Sequence, residues 1–205
     1  MPLMNKKTLN KKLFTLIQSG KFKGKKLILP SLETTRSTKS IVQDCVFNVL
    51  QNQLKNRIFV EAFGGSAVMA ASALSHYALK AYAIEKDTKA YKIALLNAKS
   101  IDENTLFVHK ADSFVFLPYL LTTLQDEVVI YLDPPFDIRA GFEDIYEKII
   151  NLILNLHSKN IVYIIIEHHY KILFDKTLGE FIQIKYKKFG NTSLSFYTHK
   201  SLASF

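Results

Sequence analysis

The sequence predicts an α/β fold whose sheet is largely parallel and ends antiparallel. Three observations carry this. From Arg57 onward five apolar, β-rich runs alternate with four segments of helical period, the first run opens into a small-residue turn, and the last two runs of the chain flank a Gly-Asn pair. Residues 57–62, 80–84, 105–109, 128–132 and 161–167 are the runs. Residues 66–75, 88–100, 113–124 and 142–156 are long enough, and polar enough on one face, to be the crossover helices that parallel strands require. Residues 181–189 and 193–199 then form a closing hairpin, because Gly190-Asn191 tolerates the positive φ of a tight turn. Upstream, Ile41, Cys45, Val46, Val49, Leu50 and Leu54 recur at helical spacing and predict a helix over residues 40–55, with Ser37 or Thr38 as its N-cap. Residues 13–17 and 27–29 read as two short strands around the loop of residues 20–26. The chain therefore divides into a basic arm with a short hairpin, residues 1–39, and a domain of residues 40–205 that includes the helix.

The charge is unevenly spread. Residues 1–39 hold ten lysines and arginines against the single acid Glu33, whereas residues 40–205 hold 17 bases and 17 acids. The whole net charge of +9 thus sits in the arm, which favours a polyanion by counterion release. Lys21, Lys23, Lys25, Lys26 and Arg36 are the candidate contacts to that polyanion. An anionic membrane fits less well, since residues 6–26 carry no broad apolar helical face, and no run of 18 apolar residues occurs. The N-terminus has no apolar core of a signal peptide, so a soluble cytoplasmic protein is expected. Cys45, the sole cysteine, reads as a buried structural thiol. The six histidines have no metal-ligand spacing, so no metal is expected.

In an open parallel sheet a ligand lies beyond the carboxyl ends of the strands, where strand order reverses. After the first strand comes Glu61-Ala62-Phe63-Gly64-Gly65-Ser66-Ala67, a turn whose backbone can approach a ligand closely. It lacks the G-x-G-x-x-G order of a dinucleotide site. Glu85 ends the second strand twenty positions after Gly65, where a carboxylate can accept from both ribose hydroxyls. Asp112 follows the third strand and could accept from an adenine amine, and Glu61 could face a positively charged group. Three acids around one glycine turn fit an adenosyl ligand that carries positive charge, and S-adenosylmethionine is such a ligand.

Asp133-Pro134-Pro135-Phe136, at the end of the fourth strand, is the most specific motif. Its prolines stiffen the turn and leave carbonyls to point into a pocket. An amine conjugated to a base is a weak nucleophile, because its lone pair is delocalised into the ring. Two acceptors on its hydrogens, the Asp133 carboxylate and the Pro134 carbonyl, would aim that lone pair at a methyl carbon, while Phe136 stacks on the extruded base.

These residues resemble the bacterial 16S rRNA guanine-N2 methyltransferases of the RsmD type over residues 17–200. The loop Gly20-Lys21-Phe22-Lys23-Gly24-Lys25-Lys26-Leu27, the pairing of Thr35-Arg36-Ser37-Thr38 with Val46-Phe47-Asn48-Val49-Leu50, and then Phe63 to Ser66, Glu85 with Asp87, Asn97, Asp112 with Phe114, Asp133 to Phe136, Glu167 and the final hairpin follow that family's blocks in order. The resemblance implies a Rossmann-like class I methyltransferase fold with a seven-stranded, mostly parallel sheet and an antiparallel closing hairpin. It implies methylation of a guanine N2 in structured small-subunit rRNA, alone or in an assembled subunit, by a monomer. It also implies that Glu61, Phe63, Gly64, Gly65, Ser66, Glu85, Lys86, Asp112, Ser113 and Thr38 hold the cofactor. Glu61 stands where the family usually has Asp, Ala67 replaces a glycine, Ser37 replaces a proline, and Ile41 and Gln43 stand where arginines are usual. Two other readings remain at this point: a non-catalytic RNA-binding assembly factor on a degenerate methyltransferase fold, which Ala67 keeps open, and a DNA amino-methyltransferase, for which 205 residues leave no separate target-recognition domain.

Overall fold

The computed structural model describes residues 13–30, 36–135 and 144–203, with side chains from Ser40 onward in the helix that begins at Arg36. Phe136, the lysines of residues 6–12 and the first residues of the expected 142–156 helix lie outside the described residues.

Strands β3 (Ile58–Glu61), β4 (Lys80–Glu85), β5 (Leu106–Lys110), β6 (Val128–Leu132) and β7 (Ile161–His169) are parallel. With β8 (Thr177–Leu178), β9 (Phe181–Phe189) and β10 (Thr192–His199) they form one sheet in the order β5-β4-β3-β6-β7-β10-β9-β8. β10 is antiparallel to both neighbours, so the sheet closes with the expected hairpin. It has eight strands rather than seven. The addition, β8, pairs only Thr177 with Ile182 and Leu178 with Phe181, and two residues are too few to leave an alternating pattern. Order reverses between β3 and β6, the position where this class of sheet leaves a crevice.

Each of the central strands is apolar throughout because both faces are covered. On β6, Val129 and Tyr131 point into one core while Val128, Ile130 and Leu132 point into the other. The first core is closed by α1 (Arg36–Leu50), α2 (Val68–Ser75) and α3 (Thr88–Ile101), the second by α4 (Ser113–Thr123) and α5 (Ile145–Leu154). Ala70, Ala71 and Ala73 are fully buried on α2, and their small side chains let that helix lie close to the sheet.

Two boundaries differ from expectation. α1 begins at Arg36, four residues before the expected start, so Ser37 and Thr38 lie inside the helix rather than at its N-cap. The apolar period begins only at Ile41, and a polar first turn gives no periodic signal. The helix also ends early, at Leu50, and a 3₁₀ turn (Gln51–Leu54) follows, with Gln51 at φ 40°. Cys45, expected to be buried, is half-buried on α1, and that burial pushes its thiol pKa up.

Strands β1 (Leu13–Leu16) and β2 (Lys26–Leu29) form the expected antiparallel pair; β2 packs on α3, and the loop between the strands packs on α2. Ile17 and Leu27 join the first core. Gly20, at φ 83°, lies so close to α2 that a Cβ there would fall 2.0 Å from the Ser75 carbonyl oxygen. That carbonyl accepts from the Lys21 amide at 2.9 Å.

Candidate active site

The turn after β3 is held by Glu61 at its entrance and by Glu85, Asn97 and Ser113 from elsewhere. Glu61 is buried, and its Oε2 accepts from the Ala70 amide at 2.9 Å, near the start of α2. The Gly64 amide donates to the Ile84 carbonyl at 2.7 Å, and a Cβ at Gly64 would press to 3.1 Å on the Ala83 methyl. Gly65, at φ 49°, donates its amide to Glu85 Oε2 at 2.7 Å, and the space its side chain would enter is open. Ala67 is left-handed, at φ 59° and ψ 34°, and is fully buried. This turn delays α2 to Val68, two residues after the expected start.

Asn97, on α3, locks the turn from beneath. Its Nδ2 donates to the Ser66 and Ile28 carbonyls at 2.8 and 2.9 Å, and its Oδ1 accepts from the Ile28 amide at 2.8 Å. One buried amide thereby joins the arm's β2 to the candidate cofactor loop. Sequence reasoning placed Asn97 in a family block without a role, since its partners lie 69 and 31 positions away.

At the end of β4, Glu85 bridges the amides of Gly65 and Asp87, the latter at 2.5 Å to Oε1. Asp112 caps α4 through the Phe114 amide at 3.0 Å and forms an ion pair with Lys86 at 2.8 Å. The Lys86 hydrogen bond is the main cause that holds the Asp112 carboxyl below its ordinary value. Ser113 is buried and donates to the Ala62 carbonyl, so its hydroxyl ties α4 to the turn. Phe63 is half-buried, edge-on to Phe114 at 5.6 Å between ring centres.

Asp133 follows β6 directly, half-buried, with Pro134 buried and Pro135 half-buried beyond it. Below them the Tyr131 hydroxyl donates to Glu167, a buried acid near the end of β7. Burial pushes the Tyr131 hydroxyl far above its ordinary pKa, and the charges of Glu167, Asp133 and Glu61 add to the shift. One carboxylate, Glu167 of β7, thus bonds the tyrosine, and the charges of Glu61 on β3 and Asp133 just after β6 also reach it. This grouping was not read from the sequence. An acid ending the apolar run of β7 was its only visible signal.

The structure does not bring Lys21, Lys23, Lys25 and Lys26 to this place. Lys21, Lys23, Lys25 and Lys26 are exposed, but the loop that carries the first three packs on Ser75, at the far end of α2. Lys21 also adds to the downward shift of Asp102, the C-cap of α3, which is set first by the Asn104 amide. These lysines therefore sit toward the amino ends of the strands. Arg36 and Thr38, in the first turn of α1, lie at the carboxyl end, because α1 runs down to the start of β3. His168 is a buried strand-end residue, bonded to Ser195 Oγ at 2.9 Å. Among the described residues no group of His, Cys, Asp or Glu is arranged to hold a metal, and no helix is long and apolar enough to cross a membrane.

A sequence-family profile described as "Conserved hypothetical protein 95" matches residues 15–198. A relative named "Ribosomal RNA small subunit methyltransferase D", from Buchnera aphidicola subsp. Acyrthosiphon pisum, is 24% identical over 176 residues, 84% of this chain and 88% of the relative. The Escherichia coli (strain K12) protein of the same name is 28% identical over 137 residues, 67% of this chain and 65% of its own length. An E. coli structure described as a methyltransferase, yhhF, superposes with a TM-score of 0.72 at 23% identity, over 91% of this chain and 98% of that one. A methylase structure from Haemophilus influenzae, HI0767, gives 0.70 at 22%, over 91% and 99%. The fold is that of the class I methyltransferases.

Proposed function

The chain belongs to the family described as conserved hypothetical protein 95, the RsmD-type methyltransferases, and from that premise we propose that it transfers the methyl group of S-adenosylmethionine to the exocyclic N2 of a guanine in small-subunit (16S) rRNA. The observation that carries this reading is the position of Asp133 and Pro134 at the carboxyl end of β6, beside the crevice bordered by the β3 turn. The residues there fit the cofactor. The space above Gly65 is open, Glu85 holds the turn and retains acceptor capacity for ribose hydroxyls, and Asp112 stands at the next strand end for the adenine amine. When bound, S-adenosylmethionine supplies an electrophilic methyl carbon. The chain's own work is orientation: Asp133 and the Pro134 carbonyl accept the two hydrogens of the guanine amine, which turns its lone pair out of conjugation. The Asp133 carboxylate also balances the positive charge that develops on that nitrogen. Phe136 is assigned to stacking on the base.

We read the protein as a cytoplasmic monomer acting on structured rRNA, free or within an assembled small subunit. Incubation with labelled S-adenosylmethionine and unmodified small-subunit rRNA, followed by nucleoside mass spectrometry, should yield N2-methylguanosine. RNA bound without methyl transfer would support the assembly-factor reading instead, and label found in DNA would support the DNA amino-methyltransferase.

A further inference from the structure

We infer that the RNA flanking the target base is gripped by a basic rim at the end of the closing hairpin, with Lys185, Lys187 and Lys188 on its phosphates and Tyr170 beside them. The inference rests on the functional reading above and differs from the expectation that the N-terminal loop supplies the contacts.

Register places the rim. Thr192 pairs with His169 and the Tyr170 amide donates to the Asn191 carbonyl at 3.0 Å, so the Gly190-Asn191 turn stands at the carboxyl end of β7. The last residues of β9 are therefore on the same side of the sheet as Asp133. Three strand spacings separate β9 from β6, about 14 Å, close enough for one RNA to touch both.

Exposure and charge then select the partner. β8 covers only Phe181 and Ile182, so β9 is outermost from Gln183 onward, and Ile184 to Lys188 are all exposed. Lysines on an edge strand also deter pairing with other sheets, and that role alone would account for scattered cations. These are gathered. Residues 181–199 contain no acid, and α1 opens with Arg36 and Lys39 ahead of its one acid, Asp44. α1 packs against β9, and Lys187 and Lys185 lie near enough to Cys45 to oppose the upward shift that burial gives its thiol. Among the described residues none of the three lysines is in a salt bridge. Lys188 Nζ, exposed, lies 4.1 Å over the half-buried Tyr170 ring, a pairing of cation and aromatic surface that suits a phosphate with its adjoining base. The loop lysines have a different explanation, because they sit by the C-terminal ends of α2 and α3, where helix dipoles favour cations without any ligand.

The test compares two triple variants of the full chain, Lys185→Ala/Lys187→Ala/Lys188→Ala and Lys21→Ala/Lys23→Ala/Lys25→Ala, binding an in-vitro transcript of small-subunit rRNA across a salt series. Each lost phosphate contact lowers the log-log salt slope by about 0.7 to 0.9, so the rim variant should lose about 2 units of slope and about tenfold in affinity at moderate salt. S-adenosylmethionine affinity, measured by calorimetry, should stay at the wild-type value and so report an intact fold. The matching triple Lys→Arg variant should bind as wild type does. Wild-type affinity and slope in the rim Ala variant, or a larger loss in the loop variant, would overturn the inference. A wild-type protein that holds neither the transcript nor the assembled small subunit would sink the functional reading itself.

Discussion

In the parallel part of the sheet the carboxyl end gathers acids and the amino end the loop lysines, while the hairpin rim of Lys185, Lys187 and Lys188 adds cations at the carboxyl end. At the carboxyl end stand Glu61, Glu85, Asp87, Asp112, Asp133 and Glu167; at the amino end lie Lys21, Lys23 and Lys25, with Arg57 paired to Glu127 at 2.6 Å. Helix polarity explains much of this. α2, α3 and α4 all begin at the carboxyl end, where their unpaired amides attract carboxylates, and α2 and α3 finish at the other, where their carbonyls attract cations. Glu61 meets Ala70, Asp87 meets Lys89 and Ala90, and Asp112 meets Phe114, each through a backbone amide. An acid at a strand end is thus first a helix cap and only then a ligand site, and a lysine at the other end is not by itself an RNA contact. The ends can be told apart functionally only by variants that separate stability from activity.

Asp133 should separate them most sharply. Asp133→Ala removes an acceptor from the target amine while leaving the cofactor turn whole. Methyl transfer should fall by about 10² or more, the scale of one preorganised contact to developing charge, with S-adenosylmethionine affinity unchanged in calorimetry. Asp133→Asn should lose less, because its amide oxygen still accepts. Full single-turnover activity in the Ala variant would return Asp133 to the class of structural acids.

Asn97→Ala should act in the opposite sense. It strands the Ile28 amide and carbonyl and the Ser66 carbonyl, three backbone groups that this side chain now satisfies. Unmade buried hydrogen bonds cost about 1 to 3 kcal/mol apiece, and water entering the gap offsets part of that, so a loss of about 2 to 3 kcal/mol is expected in denaturant unfolding. A stability change below about 0.5 kcal/mol would mean that the arm and the cofactor turn are not coupled through this residue.

What could be read from the sequence follows from how local each signal is. β6 was bounded correctly because an apolar run stops at Asp133-Pro134, and proline cannot continue a central strand. The start of α1 was misplaced because residues 36–40 are polar, and that of α2 because Ala67 leaves the helical region. The acids at the ends of β3 and β4 and after β5 were visible one by one. The Tyr131–Glu167 pair and the Asn97 clamp were not, since each joins residues distant in sequence whose side chains meet only after the strands align. Net charge showed that the arm is cationic, but charge does not say at which end of a sheet a loop will dock.

Histidines extend the comparison to pH. Burial lowers the pKa of His168, at the carboxyl end, and of His76, at the amino end, below the ordinary value; Asp44 partly opposes the shift at His76. The unfolded chain binds a proton near pH 6.5 while the folded chain resists it, so the unfolded state gains protons first and stability falls as pH drops through 6.5. Each fully neutral histidine contributes at most about 1.4 kcal/mol per pH unit. His168 has no exposed surface and His76 is only half-buried, so His168→Gln should flatten the decline between pH 7 and pH 5.5 more than His76→Gln does. Equal slopes in urea unfolding would show that His168 takes up its proton in the folded state.

The smallest expected effect belongs to Ala67, where three terms compete. Its left-handed backbone costs about 1 to 2 kcal/mol relative to glycine. Against that, the alanine methyl is fully buried, which contributes about 0.8 kcal/mol, and alanine restricts the unfolded chain by about 0.4 to 1 kcal/mol more than glycine does. The sum is close to zero, so Ala67→Gly should change unfolding stability by less than about 0.5 kcal/mol. The hydrogen bonds around the turn make the same point geometrically: the Ala67 amide reaches the Gly64 carbonyl at 2.6 Å, the Ala67 carbonyl accepts from Ala71 at 3.0 Å, and Gly65 stays tied to Glu85. An alanine that keeps all three contacts has not distorted the cofactor turn, and S-adenosylmethionine affinity should therefore be within about threefold of wild type in the glycine variant. Calorimetry decides the matter. A rise of about tenfold or more on restoring glycine, equivalent to about 1.4 kcal/mol, would show that the alanine holds the turn away from its ligand, and the assembly-factor reading would gain what the enzyme loses.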